Sequence, residues 1–355
     1  MAGFTAAGCS SAAATQQVDT AAPSAAATLS EPTEILTPAF VQQPSPAVPA
    51  RILASNASWL EIDGSTQLDN VYRLRWSSDG TVLGAMTPDG LQLLDAQTLV
   101  PAANIEVKPP YVLLDFSPDQ NWMAVSSDQQ FVELRNILSD QVVQTIRPDN
   151  PIICLVFNTD GSQVATGSTA EIAVTLWDTR SGQRVQSYNG FDTAAPVYRA
   201  EFAPGGRALV WIARETVQVM EMASGAFGPQ LIHEDSVSAI SVRPDMRMLA
   251  TTSAGMIGDT FSAVIKVWDL AGGTAAATLP AGEIIPPTIE YSPDGSLLAT
   301  SQGEKVVLWD PARQEKAAVL DGPIAPVYAV AFSPDGTALV AASQDGQIRI
   351  WRIKP

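Results

Sequence analysis

The sequence predicts an all-β domain in which one small antiparallel sheet is repeated seven times. Three observations carry this prediction. Short runs of alternating apolar and polar residues recur, tight-turn sequences separate them, and the pattern returns every 40 to 49 residues. No long stretch places apolar residues at helical spacing. The 24 Gly and 26 Pro residues suit many short strands joined by turns.

The last unit shows the pattern most clearly. Its first strand ends at Phe332, and residues 333–336 (Ser-Pro-Asp-Gly) form a turn in which Pro presets φ and Gly supplies a left-handed residue. A second apolar run leads to another turn at residues 344–346, and a third run ends at Trp351. An isolated meander of this kind is only marginally stable, because one face stays uncovered. The unit therefore needs neighbouring copies.

Six further copies precede it. The turn residue of the seven units falls at Asp79, Asp119, Asp160, Gly205, Asp245, Asp294 and Asp335. Three units close their third strand with Trp-Asp, at residues 177–178, 268–269 and 309–310, and the last keeps the Trp at position 351.

This period, the turn after the first strand and the closing Trp-Asp resemble the WD-repeat family. The resemblance covers residues 58–355. It implies a single seven-bladed β-propeller of four-stranded antiparallel blades, which we place at residues 51–355. The Gly-His pair that such repeats often carry ahead of the first strand is nearly absent from this sequence.

A fourth, outer strand is predicted between successive units. Five such strands are predicted, at residues 142–146, 184–188, 228–232, 275–279 and 316–320. The last unit has no chain left to cover its outer edge, and an open edge favours aggregation. The resemblance implies that an N-terminal strand pairs with the last blade and closes the ring. Residues 59–62 are the candidate, with residues 51–53 as the alternative.

Residues 1–50 have a different composition, rich in Ala, Ser, Thr and Pro, which predicts a disordered tether. Small residues before Cys9 and serines after it resemble the processing site of a bacterial lipoprotein, so Cys9 is a candidate lipidation site. The residues before it lack the charged and apolar regions of a secretory signal. Two interpretations stay open: Met1 lies within a longer signal, or Cys9 is a chance cysteine. The first predicts an envelope or extracytoplasmic lipoprotein, and the second a cytoplasmic protein.

Composition argues against several classes of function. A net charge of −17 with 20 Lys and Arg disfavours binding to nucleic acid or anionic membranes, which requires clustered positive charge. One His and two Cys argue against a zinc or copper site. Phosphate-binding glycine loops and calcium loops are absent from the sequence. We therefore predict no catalytic residues, no metal and no cofactor, and we interpret the repeated Asp as turn chemistry.

His233 occupies the position of the family's Gly-His histidine. The resemblance implies a structural hydrogen-bond group of His233, Thr251 and Trp268, with Asp259 as a fourth candidate although it lies in an insertion. A buried group of this kind fixes the geometry of a blade when all its polar atoms are satisfied.

In the family, residues at the start of each first strand line the mouth of the central channel, where many partners dock. Carried over to this sequence, the candidate partner-binding residues are Asn70, Tyr72, Pro110, Pro151, Pro196, Tyr198, Pro326 and Tyr328. Tyr is enriched at interfaces. Ordinary strand propensity explains the same tyrosines, and ordinary strand punctuation the prolines, so both interpretations stay open.

Three functions are compatible with these features. We favour a non-catalytic, monomeric scaffold that binds a protein or peptide on the face bearing the strand-start residues. The first alternative is an envelope lipoprotein with a structural or assembly role. The second is a small-ligand or enzymatic propeller that uses the central channel, and it lacks candidate metal or cofactor ligands in the sequence.

Overall fold

Seven four-stranded antiparallel sheets make up the fold, as the sequence predicts. The computed structural model describes residues 50–106, 113–119, 121–126, 128–137, 139–168, 173–189 and 196–354. Within these residues the only helical segments are two 3₁₀ turns, Ala57–Trp59 and Pro204–Gly206. None of the described helices has the length and apolar character needed to cross a membrane.

The strands are short, as expected where turn residues recur so often. In chain order they are β1 (Leu60–Gln67), β2 (Arg73–Trp76), β3 (Val82–Thr87), β4 (Gly90–Asp95), β5 (Pro101–Glu106), β6 (Leu113–Phe116), β7 (Trp122–Ser126), β8 (Val132–Asn136), β9 (Val142–Ile146), β10 (Ile152–Phe157), β11 (Gln163–Ser168), β12 (Ala173–Asp178), β13 (Arg184–Asn189), β14 (Arg199–Phe202), β15 (Ala208–Ala213), β16 (Thr216–Glu221), β17 (Leu231–Ile232), β18 (Ala239–Val242), β19 (Met248–Ile257), β20 (Thr260–Asp269), β21 (Thr274–Gly282), β22 (Ile289–Tyr291), β23 (Leu298–Gln302), β24 (Lys305–Asp310), β25 (Glu315–Leu320), β26 (Val327–Phe332), β27 (Ala338–Ser343) and β28 (Gln347–Ile353).

Six blades are built from four consecutive strands each, starting with β2–β5 and ending with β22–β25. The seventh has the order β1-β28-β27-β26, so its outer strand comes from the N-terminal end of the domain. Leu60 pairs with Ile353 and Gln67 with Gln347, which covers the whole outer edge of β28. The predicted closure of the ring is confirmed.

The closing strand differs in extent from the predicted residues 59–62. It runs on to Gln67, and a bulge between Ile62 and Gly64 keeps its register with β28. Trp59 belongs to the preceding 3₁₀ turn and is 66% exposed. The alternative at residues 51–53 is not a strand. Instead, Ile52 is buried and its N–H donates to the Gly336 carbonyl at 2.8 Å.

Packing between blades closes the ring physically. The buried apolar side chains form seven clusters, and each cluster combines residues of two successive blades. The cluster between the first and seventh blades, for example, joins Leu83 and Leu94 to Val340 and Ile350. Each sheet therefore buries both faces against its neighbours, which removes the exposed face that makes an isolated meander marginal.

Two local predictions need correction. The fourth blade's outer strand is limited to Leu231–Ile232, instead of starting at residue 228, because Pro229 has no N–H to donate to the ladder. The Gly228 carbonyl accepts a hydrogen bond from the Gln218 side-chain amide at 2.9 Å. In the fifth blade, the insertion that contains Asp259 is a strand extension. β19 and β20 stay paired to Ile257 and Thr260, with a tight turn at Gly258 and Asp259.

Candidate interaction face

Antiparallel pairing divides the ring into two faces. The first strand of every blade starts where the second strand ends and the third begins, so these three points share one face. We call it the tyrosine face, after Tyr72, Tyr198 and Tyr328. The opposite face carries the turns that follow each first strand, and we call it the turn face.

The predicted strand-start residues are accessible where the structure describes them. Tyr72, Tyr198 and Tyr328 are 44%, 50% and 40% exposed. Of the other candidates, Asn70 and Pro326 are exposed and Pro151 and Pro196 are half-buried. Pro110 lies outside the described residues, and so does Cys9.

Further apolar side chains reach the same face and were not predicted from the sequence. Met256 and Phe261 are cross-strand partners in the extended β19–β20 hairpin, and they are 47% and 56% exposed. Ile284 and Ile324 lie in the connections that lead to β22 and β26, and they are 67% and 76% exposed. The hairpin continues for five residues beyond Thr252, the partner of the first residue of β18, which is about 17 Å of strand.

These side chains form an arc that we call the apolar arc. Its members run from the fourth blade through the fifth, sixth and seventh to the first: Tyr198, Met256, Phe261, Ile284, Ile324, Tyr328 and Tyr72. Large exposed apolar groups at neighbouring positions on one face are typical of an interaction surface.

Charged side chains gather on the inner strands beneath this arc. Arg75 of β2 donates to both carboxylate oxygens of Asp115 on β6 at 2.7 Å. Asp115 is fully buried and also accepts the Phe157 N–H of β10 at 2.8 Å. One carboxylate thus ties three successive inner strands together. Removing one partner of such a pair leaves an uncompensated charge.

A second acidic group lies on the sixth blade. Glu290 of β22 accepts the Phe332 N–H of β26 at 3.3 Å. Burial, together with the charge of Glu201 on β14, raises the pKa of Glu290 to about 8. Burial also raises the pKa of Glu201, against the opposing charges of Arg199, Arg73 and Arg75. Groups from the first, fourth and sixth blades therefore influence one another across the centre of the ring.

The raised pKa of Glu290 makes the stability of the folded chain depend on pH. Because its folded pKa of about 8 lies above the ordinary value of 4.5, ionisation destabilises the folded state as pH rises between these values. We expect Glu290→Gln, which keeps an acceptor for Phe332, to melt several degrees above the parent chain at pH 8 and at nearly the same temperature at pH 4.5. The exposed Glu304→Gln is the matched control. Equal melting temperatures for Glu290→Gln and parent at both pH values would contradict this assignment.

His233, Thr251 and Trp268 lie together in the fifth blade. His233 Nδ1 lies 3.1 Å from the Glu215 carbonyl oxygen, to which it can only donate. Its Nε2 therefore accepts from the Thr251 hydroxyl, at 2.8 Å, and Thr251 Oγ1 accepts the Trp268 indole N–H at 3.0 Å. Burial lowers the pKa of His233 to about 4, so the imidazole is neutral at pH 7. Asp259 lies apart from this group, in the turn at the tip of the hairpin.

Other blades replace the histidine in different ways. The indole N–H donates to a second-strand threonine in the third blade (Trp177 to Thr166, 2.8 Å) and in the sixth (Trp309 to Thr300, 3.1 Å), without any His. In the seventh blade Arg349 bonds Ser343 at 2.9 Å and Asp345 at 2.7 Å. Sequence comparison among the units could have found the two threonines, since they occupy the position of Thr251.

The repeated turn aspartates accept hydrogen bonds within their own turns. Serine hydroxyls donate to them at 2.5–2.6 Å in four turns: Ser77 to Asp79, Ser117 to Asp119, Ser292 to Asp294 and Ser333 to Asp335. Hydrogen bonds from Ser77 and Thr81 lower the pKa of Asp79, so the carboxylate stays ionised as an acceptor. Such local side-chain bonds stabilise the turns themselves.

The described part of the molecule offers few groups suited to metal binding or catalysis. No group of three or more His, Cys, Asp or Glu side chains there is arranged to hold a metal ion. Cys154 is buried, and burial raises the pKa of its thiol to about 12, which makes it unreactive. A cleft of about 490 Å³ opens at the rim between the third and fourth blades, bordered by Tyr188, Met222 and Phe227, away from the inner strands.

Comparison with known proteins agrees with the repeat pattern. Residues 314–352 match the model "WD domain, G-beta repeat". The chain is 24% identical to "Cell division cycle 20.4, cofactor of APC complex" of Arabidopsis thaliana, over 88% of this chain and 72% of that protein. It is 28% identical to "Pre-mRNA-processing factor 19 homolog 2" of the same organism, over 54% of this chain and 36% of that protein. It is 27% identical to "Transducin beta-like protein 3" of Bos taurus, over 42% and 18%.

The ring and its site define a class of protein, a seven-bladed β-propeller with seven exposed large apolar residues along one face. The match in the last blade and the similarity to these eukaryotic proteins support the WD-repeat family for this propeller. The chain spans only about a third or less of the second and third relatives' own lengths.

Proposed function

We propose that this propeller is a non-catalytic, monomeric scaffold that binds a protein or peptide through its tyrosine face. The apolar arc is the observation that carries this proposal. Seven large apolar side chains, each at least 40% exposed, lie on the one face at which the inner strands begin. Holding them in water has a free-energy cost that a partner removes by covering them.

The rigidity of the ring supports the same conclusion. The three tyrosines stand next to strands whose blades are packed on both sides, so few of their backbone degrees of freedom are lost on binding. Tyr also contributes large contact area with few rotatable bonds. The name of the first relative describes a cofactor of a complex, and a scaffold role for this chain is consistent with that similarity.

A binding experiment tests the face. We expect the triple variant Tyr72→Ala, Tyr198→Ala and Tyr328→Ala to recover much less partner in an affinity pull-down from the native cell. The reason is that interface tyrosines often contribute about 2 kcal/mol or more to the free energy of binding. Trp59→Ala is the matched control, since Trp59 is 66% exposed but lies at the start of β1, near the turn face. Full recovery with the triple variant, or equal loss with the control, would exclude the tyrosine face.

Lipidation of Cys9 is a second, compatible proposal for an envelope role. The small residues before Cys9 and the serines after it support this proposal. Mass spectrometry of the N-terminus of the native protein tests this, because a diacylated Cys9 supports the anchor and an unmodified Cys9 excludes it.

A further inference from the structure

Arg73 and Arg199 occupy the same place in two different blades. Each is the first residue of its inner strand, directly after an exposed tyrosine of the arc, in the repeated sequence Val-Tyr-Arg. The Arg73 side chain is 38% exposed, and Arg199 is half-buried. Burial, and the positive charge of Arg73, lower the pKa of the Arg199 guanidinium against the opposing charge of Glu201. As first residues of inner strands, the two arginines of the first and fourth blades lie on the same face of the ring.

The carboxylates of the inner strands do not neutralise both cations. Asp115 is already bonded to Arg75 and to the Phe157 N–H, and its oxygen lies 3.7 Å from Arg73. The Arg199 guanidinium makes a long hydrogen bond, donating to the Ser238 carbonyl at 3.4 Å.

The remaining acidic groups are Glu201 and Glu290, and the latter is largely protonated at neutral pH because its pKa is about 8. The described inner strands thus carry three arginines and three carboxyl groups, and while Glu290 is protonated the two remaining carboxylates, Asp115 and Glu201, leave an excess of positive charge. This local excess of positive charge contrasts with the net charge of −17 of the chain. An approaching acidic group, which most of the surface repels, is attracted here.

We propose that the tyrosine face recognises a protein segment that inserts an Asp or Glu side chain between Arg73 and Arg199. Apolar side chains of the same segment pack on Tyr72, Tyr198 and the rest of the arc. This inference rests on the proposed function and adds the chemistry of its ligand. Guanidinium groups form short, charge-assisted bonds to carboxylates, and tyrosine rings beside them exclude water and strengthen those bonds.

A peptide selection tests the inference even though the natural partner is unidentified. The probe is a phage-displayed library of random peptides, selected on the full chain. We expect the recovered peptides to share an Asp or Glu flanked by apolar residues. A fluorescein-labelled peptide of the dominant sequence then gives Kd by fluorescence anisotropy. Arg73→Gln and Arg199→Gln should each weaken binding about tenfold or more, while Arg313→Gln, 70% exposed near the turn face, should not.

A second peptide, with its acidic residue changed to the amide, completes a double-mutant cycle. Its loss of affinity should be large on the parent chain and small on the two arginine variants. Thermal melting of each variant shows whether the ring remains folded.

The outcomes separate this inference from the proposed function. In one outcome, the recovered peptides lack an acidic residue and yet lose binding to the triple tyrosine variant. That result would overturn the carboxylate inference and leave the scaffold proposal intact. Preference for a phosphorylated residue or a C-terminal carboxylate over an internal Asp or Glu would also overturn the inference. Binding that survives the triple tyrosine variant would overturn both proposals.

Discussion

Removal of residues 1–68 should open the ring and lower its melting temperature. The outer edge of β28, from Gln347 to Ile353, would lose every backbone partner. Buried Ile52 and Ala57 would leave the cluster between the sixth and seventh blades. Loss of one buried Ile alone commonly costs about 2–5 kcal/mol. We expect the melting temperature to fall by about 10 °C or more, and the exposed edge to promote self-association.

Calorimetry and size-exclusion chromatography measure both effects. The matched control removes only residues 1–49, which leaves β1 and Ile52 in place, and its melting temperature should stay close to that of the full chain. A synthetic peptide of residues 50–68 should restore a monomeric ring and its melting temperature when added to the longer deletion. Identical melting and elution of the two deletions would show that β1 does not hold the ring together.

The closure was predictable because the WD-repeat resemblance implies that an N-terminal strand completes the last blade. β1 pairs with β28 in this way. The turns were predictable for a different reason. Ser, Pro, Asp and Gly act within four or five residues of one another, so the sequence contains all the partners of each turn.

The extended hairpin was not predicted, because the comparison among units treats its residues as an insertion. Residues 254–263 resemble an extra loop because other blades have a tight turn there. Gly258-Asp259 is itself a two-residue hairpin signal, and Met256 pairs with Phe261 across it. This turn signal, taken by itself, would have predicted the strand extension.

The inner charges could not be paired from the sequence. Arg75 and Asp115 are 40 residues apart, and Asp115 and Phe157 are 42 apart. One repeat length separates each pair, so the contact exists only once blades are stacked in order. One signal in the sequence was missed: the residue before the end of several first strands is polar, as at Asp115, Glu201, Ser241 and Glu290. Three of these four side chains accept a hydrogen bond from a backbone N–H of the next inner strand.

His233 makes the fifth blade sensitive to acid. Its folded pKa of about 4 lies below the ordinary value of 6.5, because the buried imidazole must stay neutral to accept from Thr251. The unfolded chain therefore binds more protons between these values, and the folded state loses stability as pH falls from 6.5 to 4. The difference corresponds to about 3 kcal/mol. We expect the free energy of unfolding of the parent chain, measured with denaturant, to fall by about this amount relative to His233→Gln.

The comparison with His233→Gln isolates one group among many that titrate in acid. The turn aspartates contribute equally to both chains, so they cancel in the difference. The Gln amide oxygen can still accept from Thr251, and its amide does not titrate. A constant offset between the two chains from pH 6.5 to 4 would mean that His233 is not held neutral by the fold. A difference that grows with acidification would show that the hydrogen bonds from Trp268 to Thr251 and from Thr251 to His233 form a structural network. The integrity of this network depends on the neutral imidazole.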